Sequence, residues 1–231
     1  MQNDVHKLND ELQFKSQLIS VLSHEAKGLF ANFFWMIDAI ENGISSPEML
    51  ADLLPELKSV ANKNLETFTT TLQWIKLQDA AFKPQKALIN AYQLFEDMND
   101  FFSKQLSEKK QKLIFSGAKE LNFVSDDVLV KLSLKKIIEN AIKFSGSGKG
   151  IILDISITSG FVEIKVVDSG AGMDEGTLLN LLTGKMKSNG LGLHFTKDMI
   201  LALDGKINVT SSPEKGSTLT LSLPFIEQIR G

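Results

Sequence analysis

The sequence has no cysteine, only three histidines, and no apolar run long enough to form a transmembrane helix. The absence of cysteine excludes disulfide bonds, zinc–thiolate sites and catalysis by a thiol. The histidines do not have the spacing of metal ligands, so no structural metal is expected. Residues 5–22 are too polar for a signal peptide. The chain is therefore expected to have an ordinary packed core and no membrane contact of its own.

The composition is that of a soluble globular protein, with 43% hydrophobic and 23% charged residues among 231. This length suits one large domain or two modest ones. A net charge of −3 argues against a nucleic-acid-binding protein, which usually has a basic surplus. The first residues have the pattern of a helix interior, so we expect a fragment whose upstream part is missing. We expect the chain to be cytoplasmic, with any membrane anchor lying upstream.

Residues 1–80 are predicted to form a helical hairpin. Apolar residues recur at alternating steps of three and four over five heptads, and only Lys15 interrupts them. The heptad positions are Val5, Leu8, Leu12, Lys15, Ile19, Leu22, Ala26, Leu29, Phe33, Met36 and Ile40. The pattern is typical of a helix in a supercoiled bundle, and flanking apolar residues widen it beyond a two-helix seam. Because two helices bury too little surface alone, we expect a four-helix bundle formed by a homodimer.

The predicted boundaries of the hairpin rest on capping residues and prolines. The first helix should end near Asn42-Gly43, and Ser45-Ser46-Pro47-Glu48 should restart a helix with a capping serine and a proline close to its first turn. Pro55 is unfavourable in a helix interior by about 3 kcal/mol. The second long helix is therefore expected either to begin near Pro55 or to be kinked there. Its apolar face continues to about Leu77, and residues 80–86 are the predicted linker.

Residues 81–231 are predicted to form an α+β sandwich, with helices on one face of a largely antiparallel sheet. Alternating apolar residues predict strands over 87–90, 112–116, 121–125, 151–157, 161–167, 206–211 and 217–223. Helical periodicity predicts helices over 91–109, 126–144 and 193–203. Residues 173–189 are expected to be a short loop whose Lys185 and Lys187 are more simply solvated charges, although as a mobile lid it would bring them near a nucleotide.

Two glycine-rich segments follow strands of this sandwich. Asp168 ends a strand, and Gly170 and Gly172 follow it at two-residue spacing. Residues without Cβ let a flat polar ring approach the backbone closely. Gly190 and Gly192 open a predicted helix, whose free N–H groups favour anions. One segment could hold a base and the other a phosphate chain, although glycine turns are also common in ordinary loops.

The 126–144 helix has a polar strip of Lys136, Asn140 and Lys143 on one face, with Glu139 beside it. An amide oxygen can bind Mg²⁺ and an ammonium group can neutralise phosphate. Taken alone, this strip is more simply a solvated helix face. His24, two positions from each neighbouring heptad residue, is likewise more simply an exposed histidine when taken alone.

Taken together and in order, these segments resemble the catalytic core of a two-component sensor histidine kinase over nearly the whole chain. Ser23-His24-Glu25 resembles the H box, and residues 138–145 resemble the N box. Residues 168–173 resemble the first glycine box, and Gly190-Leu191-Gly192-Leu193 the second. Residues 215–218 are similar to the last glycine element.

The resemblance implies an ATP site built from these boxes. Asp168 would accept the adenine amino group, Gly170 and Gly172 would shape the adenine pocket, and Phe144 and Thr218 would also contact the nucleotide. On the phosphate side the implied residues are Asn140 and Glu139 for Mg²⁺, Lys143 for the phosphates, and Gly190, Leu191, Gly192 and Leu193 around the phosphate chain.

The resemblance also implies a reaction and two partners. His24 would attack the γ-phosphate of ATP, and Glu25 would assist as acid or base. A homodimer would form through the hairpin, and a response-regulator receiver domain would take the phosphoryl group on an aspartate. The alternative is an ATP-binding scaffold that holds a receiver domain and transfers little phosphate.

The sequence departs from the family pattern at three places. At the position of Gly28, the family members that also dephosphorylate their regulator have Thr or Asn. Lys136 stands where Asn is common, and residues 173–189 lack the usual phenylalanine-rich box. These departures concern the rate of transfer and the reverse reaction more than ATP binding.

Overall fold

The computed structural model describes residues 46–77, 79, 81–182 and 191–226, together with positions 19, 23, 26–28, 30, 31, 33–35, 37, 38, 41 and 42. The chain divides into two compact units, residues 1–76 and residues 77–231. In the described part of the chain, no helix is long and apolar enough to cross a membrane.

In the first unit, the residues that the structure describes are helical in two stretches. The described positions between 19 and 41 are all helical, and we call this segment α1. Helix α2 spans Pro47–Leu77, and the Ser46 hydroxyl caps it by accepting from the Met49 backbone N–H at 3.3 Å. The predicted cap and the predicted end at Leu77 are thus confirmed.

The expectation that the second helix begins near Pro55 is wrong, because α2 already begins at Pro47 and continues past Pro55. A proline removes one backbone hydrogen bond, here the one to the Ala51 carbonyl. That loss falls in the third turn of a 31-residue helix. The remaining turns and the Ser46 cap outweigh it.

The second unit alternates strands and helices. Its elements are β1 Lys86–Asn90, α3 Ala91–Glu108, β2 Lys112–Gly117, β3 Asn122–Asp126, α4 Asp127–Phe144, β4 Gly150–Thr158, β5 Phe161–Asp168, α5 Glu175–Leu182, α6 Leu191–Ala202, β6 Lys206–Ser212 and β7 Gly216–Pro224. All the predicted strands and helices of this unit are present, within about two residues of their predicted ends.

A five-stranded sheet in the order β2-β4-β5-β7-β6 forms the main layer of this unit. Only the β2–β4 pair is parallel, and the other pairs are antiparallel. Along β5 the buried residues Val162, Ile164 and Val166 alternate with half-buried ones, as expected for a strand covered on one face. Helices α3, α4 and α6 contact this sheet and one another. The predicted α+β sandwich is confirmed.

Two features of this unit were not predicted. Strands β2 and β3, which follow one another in the chain, belong to different sheets, because β3 pairs with β1 in a separate two-stranded sheet. Gly117 has φ +133°, and a Cβ there would collide with the Ile155 carbonyl. The other feature is α5, which lies within the predicted lid and begins after Asp174, whose carboxylate accepts from the Thr177 N–H at 2.7 Å.

Candidate functional site

Asp168 is the centre of the candidate site. It ends β5 and lies opposite Ser217 of β7. Its Oδ1 accepts a hydrogen bond from the Gly170 N–H at 2.8 Å, and the carboxylate also accepts from the Ser217 N–H and hydroxyl. Burial raises the pKa of Asp168, and these hydrogen bonds oppose the shift. The site therefore has a half-buried acceptor that is held in place by its own backbone.

The glycines around Asp168 allow three close backbone approaches. A Cβ on Gly170 would lie 2.6 Å from the Phe144 carbonyl oxygen. Gly172, at φ +67°, has no room for a Cβ beside the Ser212 carbonyl, and Gly216, at φ +80°, has none beside the carbonyl of Asp168. The glycine spacing thus lets the loop that follows Asp168 pack against both α4 and the β6–β7 turn.

Two serines that the sequence did not predict as site residues form hydrogen bonds around this loop. The Ser211 hydroxyl accepts from the Met173 N–H at 2.8 Å and donates to the Gly216 carbonyl at 3.0 Å. It also lies 2.9 Å from the Ser217 hydroxyl, its partner across the β6–β7 ladder. The serine pair thus links the loop to the strand that faces Asp168. A signal for Ser217 exists in the sequence, since it directly follows Gly216.

Thr218 is not brought to the Asp168 carboxylate. It pairs with Val167 of β5 and Thr210 of β6, whereas Asp168 pairs with Ser217. Because successive side chains of a strand point to opposite faces, Thr218 lies on the face opposite to Asp168. The hydroxyl beside the carboxylate is that of Ser217, and a contact of Thr218 with the nucleotide stays a prediction.

The last turn of α4 borders the same loop. An isolated bridge joins Ser145, directly after α4, to Gly170. Phe144 is 58% exposed, and the Lys143 ammonium lies 5.2 Å from the centre of its ring, within the range of a cation–π contact. The structure therefore brings the end of the predicted N box against the first glycine box.

Of the two predicted Mg²⁺ ligands, Glu139 is already paired with a lysine and Asn140 is the better candidate. Glu139 Oε2 lies 2.6 Å from Lys136 Nζ, so its charge is already balanced within α4. Asn140 is half-buried on the same helix. In the described ranges no group of three His, Cys, Asp or Glu side chains converges on a metal position. The residues fit a Mg²⁺ held by one amide oxygen together with phosphate oxygens and water, the usual way in which this ion binds nucleotides.

The remaining predicted site residues lie at or beyond the edges of the described ranges. Helix α6 begins at Leu191, so the backbone of Leu191, Gly192 and Leu193 forms its first turn. Helices leave their first N–H groups without intrahelical partners, and these groups attract anions. His24, Glu25 and Gly190 lie outside the described residues.

Comparison with known proteins shows what this chain is similar to. Residues 125–227 match the family described as histidine kinase-, DNA gyrase B-, and HSP90-like ATPase. The chain is also 24% identical over 240 residues to the adaptive-response sensory kinase SasA of Crocosphaera subtropica, a match that covers 97% of this chain. The chain is thus similar to sensor histidine kinases along nearly its whole length. It spans 63% of the length of that SasA relative.

Solved histidine kinases have the same fold. The histidine kinase AdeS of Acinetobacter baumannii aligns with a TM-score of 0.69 at 19% identity, covering 88% of this chain and 98% of that one. Full-length ShkA in complex with AMPPNP aligns with a TM-score of 0.68 at 20% identity, covering 92% of this chain and 46% of that one. At these identities the likeness establishes the fold.

Proposed function

We propose that the chain is an ATP-dependent protein-histidine kinase that phosphorylates His24 and passes the phosphoryl group to an aspartate of a response regulator. The observation that carries the proposal is the Asp168 carboxylate, half-buried and fixed by Ser217 and Gly170 against the end of α4. A fixed acceptor in a partly dry pocket suits the amino group of adenine, because a charge-assisted hydrogen bond is stronger there than in water. The carbonyl of guanine would be repelled at the same position.

The phosphate end of the nucleotide would lie toward Asn140, Lys143 and the first turn of α6. Lys143 supplies a positive charge, and the free N–H groups at Leu191–Leu193 supply donors. Mg²⁺, when bound at Asn140, would neutralise part of the phosphate charge, as phosphoryl transfer requires. The complex of the structural relative ShkA with AMPPNP, an ATP analogue, supports this choice of ligand.

The proposed reaction is a single phosphoryl transfer. A ring nitrogen of neutral His24 forms a bond to the γ-phosphorus, the bond from that phosphorus to the bridging oxygen breaks, and ADP leaves. The imidazole loses one proton, which Glu25 is proposed to accept. A neighbouring carboxylate makes an imidazole more nucleophilic by holding its other nitrogen.

The homodimer is proposed from exposed apolar surface on α1. In the single chain Phe30 is 71% exposed, Phe34 is 76% exposed and Trp35 is 57% exposed. Adjacent large apolar side chains at such exposure mark an interaction surface. Phe30 and Phe34 are one helical turn apart, so a second copy of the hairpin could cover both in a four-helix bundle.

The proposed function is tested by incubating the chain with γ-labelled ATP and Mg²⁺. The kinase predicts a label on the protein that is stable in alkali and labile in acid, as a phosphohistidine is. Tight ATP binding without any label would contradict the kinase and support the alternative, a scaffold that binds ATP and a receiver domain. An absence of ATP binding would overturn both.

A further inference from the structure

Gln111 ends the turn between α3 and β2, and its backbone closes α3. Its N–H donates to the Leu106 carbonyl at 2.8 Å, and the Lys110 N–H donates to the Ser107 carbonyl at 3.0 Å. Lys110 has φ +53°. These two hydrogen bonds and the left-handed residue form a Schellman motif. The position of the Gln111 backbone is therefore fixed by the end of α3.

The Gln111 side chain reaches the end of a different helix, α4. Its Nε2 donates to the carbonyl oxygens of Ile142 at 3.3 Å, Ser145 at 3.0 Å and Gly146 at 3.0 Å. The residue is 5% exposed. A helix leaves its last carbonyls without intrahelical donors. One buried amide group thus satisfies this end of α4 and the two residues that follow it.

Lys109 supports the same segment from its exposed side. Its Nζ donates to the carbonyls of Ile142 at 2.7 Å and Lys143 at 3.0 Å. Its own carbonyl accepts from the Gly148 N–H at 3.0 Å. Residues 109–111 therefore hold the segment 142–148 through side chains and backbone together.

The held segment is the one that borders the candidate nucleotide site. Ser145 forms the bridge to Gly170, and the Phe144 carbonyl is the atom that excludes a Cβ from Gly170. The geometry points to Gln111 as a positioning residue for this site. It fixes the end of α4 against the loop of Asp168 without itself belonging to the nucleotide pocket. The inference rests on the proposed ATP site.

The oxygen of the Gln111 side-chain amide indicates that this residue positions the site and does not merely stabilise the fold. Gln111 Oε1 is buried and has no hydrogen-bond partner among the described residues, and the same holds for the Ser145 hydroxyl. A buried unpaired oxygen is unfavourable for folding. The contribution of this side chain therefore comes from what its nitrogen holds in place.

The test is calorimetric titration of folded variants with ATP and Mg²⁺, well below their unfolding temperatures. Gln111→Met keeps the length of the side chain and removes the donors, so its ATP dissociation constant should rise about tenfold, as for loss of hydrogen bonds to a held segment. Gln111→Lys, whose ammonium can donate to the same three carbonyls, should return the constant to within about threefold of the unmodified chain. In the autophosphorylation assay KM for ATP should rise for Gln111→Met, with kcat unchanged at saturating ATP.

The control is Phe123→Leu, a core substitution in β3, which precedes the opposite end of α4. It should lower the Tm and leave ATP affinity unchanged, which separates a general loss of stability from a displaced site. If the unmodified chain binds no ATP, the proposed function fails. If it binds ATP and Gln111→Met binds equally well, the positioning role is overturned. If Gln111→Met does not fold, Gln111→Asn, with a shorter amide, takes its place with the same expected rise and the same overturning result.

Discussion

Ser217 lies directly opposite Asp168 across the β5–β7 ladder, and both its backbone N–H and its hydroxyl donate to the Asp168 carboxylate. This pair fixes the acceptor on which the proposed ATP site depends. The next residue, Thr218, pairs with Val167 and not with Asp168.

We predict that Asp168→Asn weakens ATP binding by ten- to a hundredfold, because a charge-assisted hydrogen bond contributes roughly 1.5–3 kcal/mol. The same change should raise the Tm of the unliganded protein, because burial makes the Asp168 charge unfavourable, as its raised pKa indicates. Calorimetry and thermal unfolding measure the two effects. Unchanged ATP affinity would remove Asp168 from the site.

A second prediction distinguishes the two neighbouring hydroxyls. Ser217→Ala should weaken ATP binding by about three- to tenfold, since a net hydrogen bond contributes about 0.5–1.5 kcal/mol, and Ser217→Thr should keep most of the affinity. Thr218→Val, which preserves the shape of the side chain on the opposite face, is the matched control and should bind ATP normally. The reverse order of effects would place Thr218 in the site.

The raised pKa of Asp168 predicts opposite pH dependences for binding and for stability. ATP affinity should fall as the pH is lowered, because protonation removes the charged acceptor, and the fall should begin at a higher pH than for an ordinary aspartate of pKa 3.8. Asp168 has its ordinary pKa of 3.8 in the unfolded chain and a raised pKa in the folded, unliganded protein. At a pH between these two pKa values, the folded state binds more protons than the unfolded state. The contribution of Asp168 to stability therefore decreases as the pH rises through that window. Titrations of the unmodified chain and of Asp168→Asn, which should lack both dependences, provide the check.

Gly28 allows a prediction about the reverse reaction. A Cβ at this helical position meets no atom of the described structure within 4 Å, so Gly28→Ala should stabilise the protein by up to about 1 kcal/mol in denaturant unfolding. The unmodified chain should dephosphorylate its regulator weakly, because Gly28 has no side chain to hold a water one turn from His24. Gly28→Thr or Gly28→Asn should increase the rate at which the regulator loses phosphate in the presence of ADP. Rapid loss with the unmodified chain would contradict this prediction.

Local signals in the sequence predicted most of the fold because the caps are local. Asn90 accepts from the Gln93 N–H at 2.9 Å and Asp126 accepts from the Leu129 N–H at 3.1 Å, so α3 and α4 each begin directly after a capping side chain. The separation of β2 from β3 depends on Gly117 passing Ile155, a contact distant in sequence that no local pattern reveals.

The sequence predicted which residues form the candidate site better than it predicted how they are arranged. Asp168, its glycines and the end of α4 are brought together as expected. Whether Ser217 or Thr218 faces Asp168 depends on the register of β7, which a one-residue shift would reverse. Gln111 was not predicted, since a polar residue in a turn gives no sign that its side chain reaches another helix.

The measurement that tests the central claim most directly is the location of the label after incubation with γ-labelled ATP. The kinase proposed here predicts an acid-labile phosphoryl group on the peptide that contains His24. It also predicts that His24→Gln loses this label entirely while keeping the ATP affinity and dimerisation of the unmodified chain, because the heptad pattern predicts an outward-facing His24, and such a side chain contributes little to stability. Undiminished label on His24→Gln, or ATP binding by the unmodified chain without label, would contradict it.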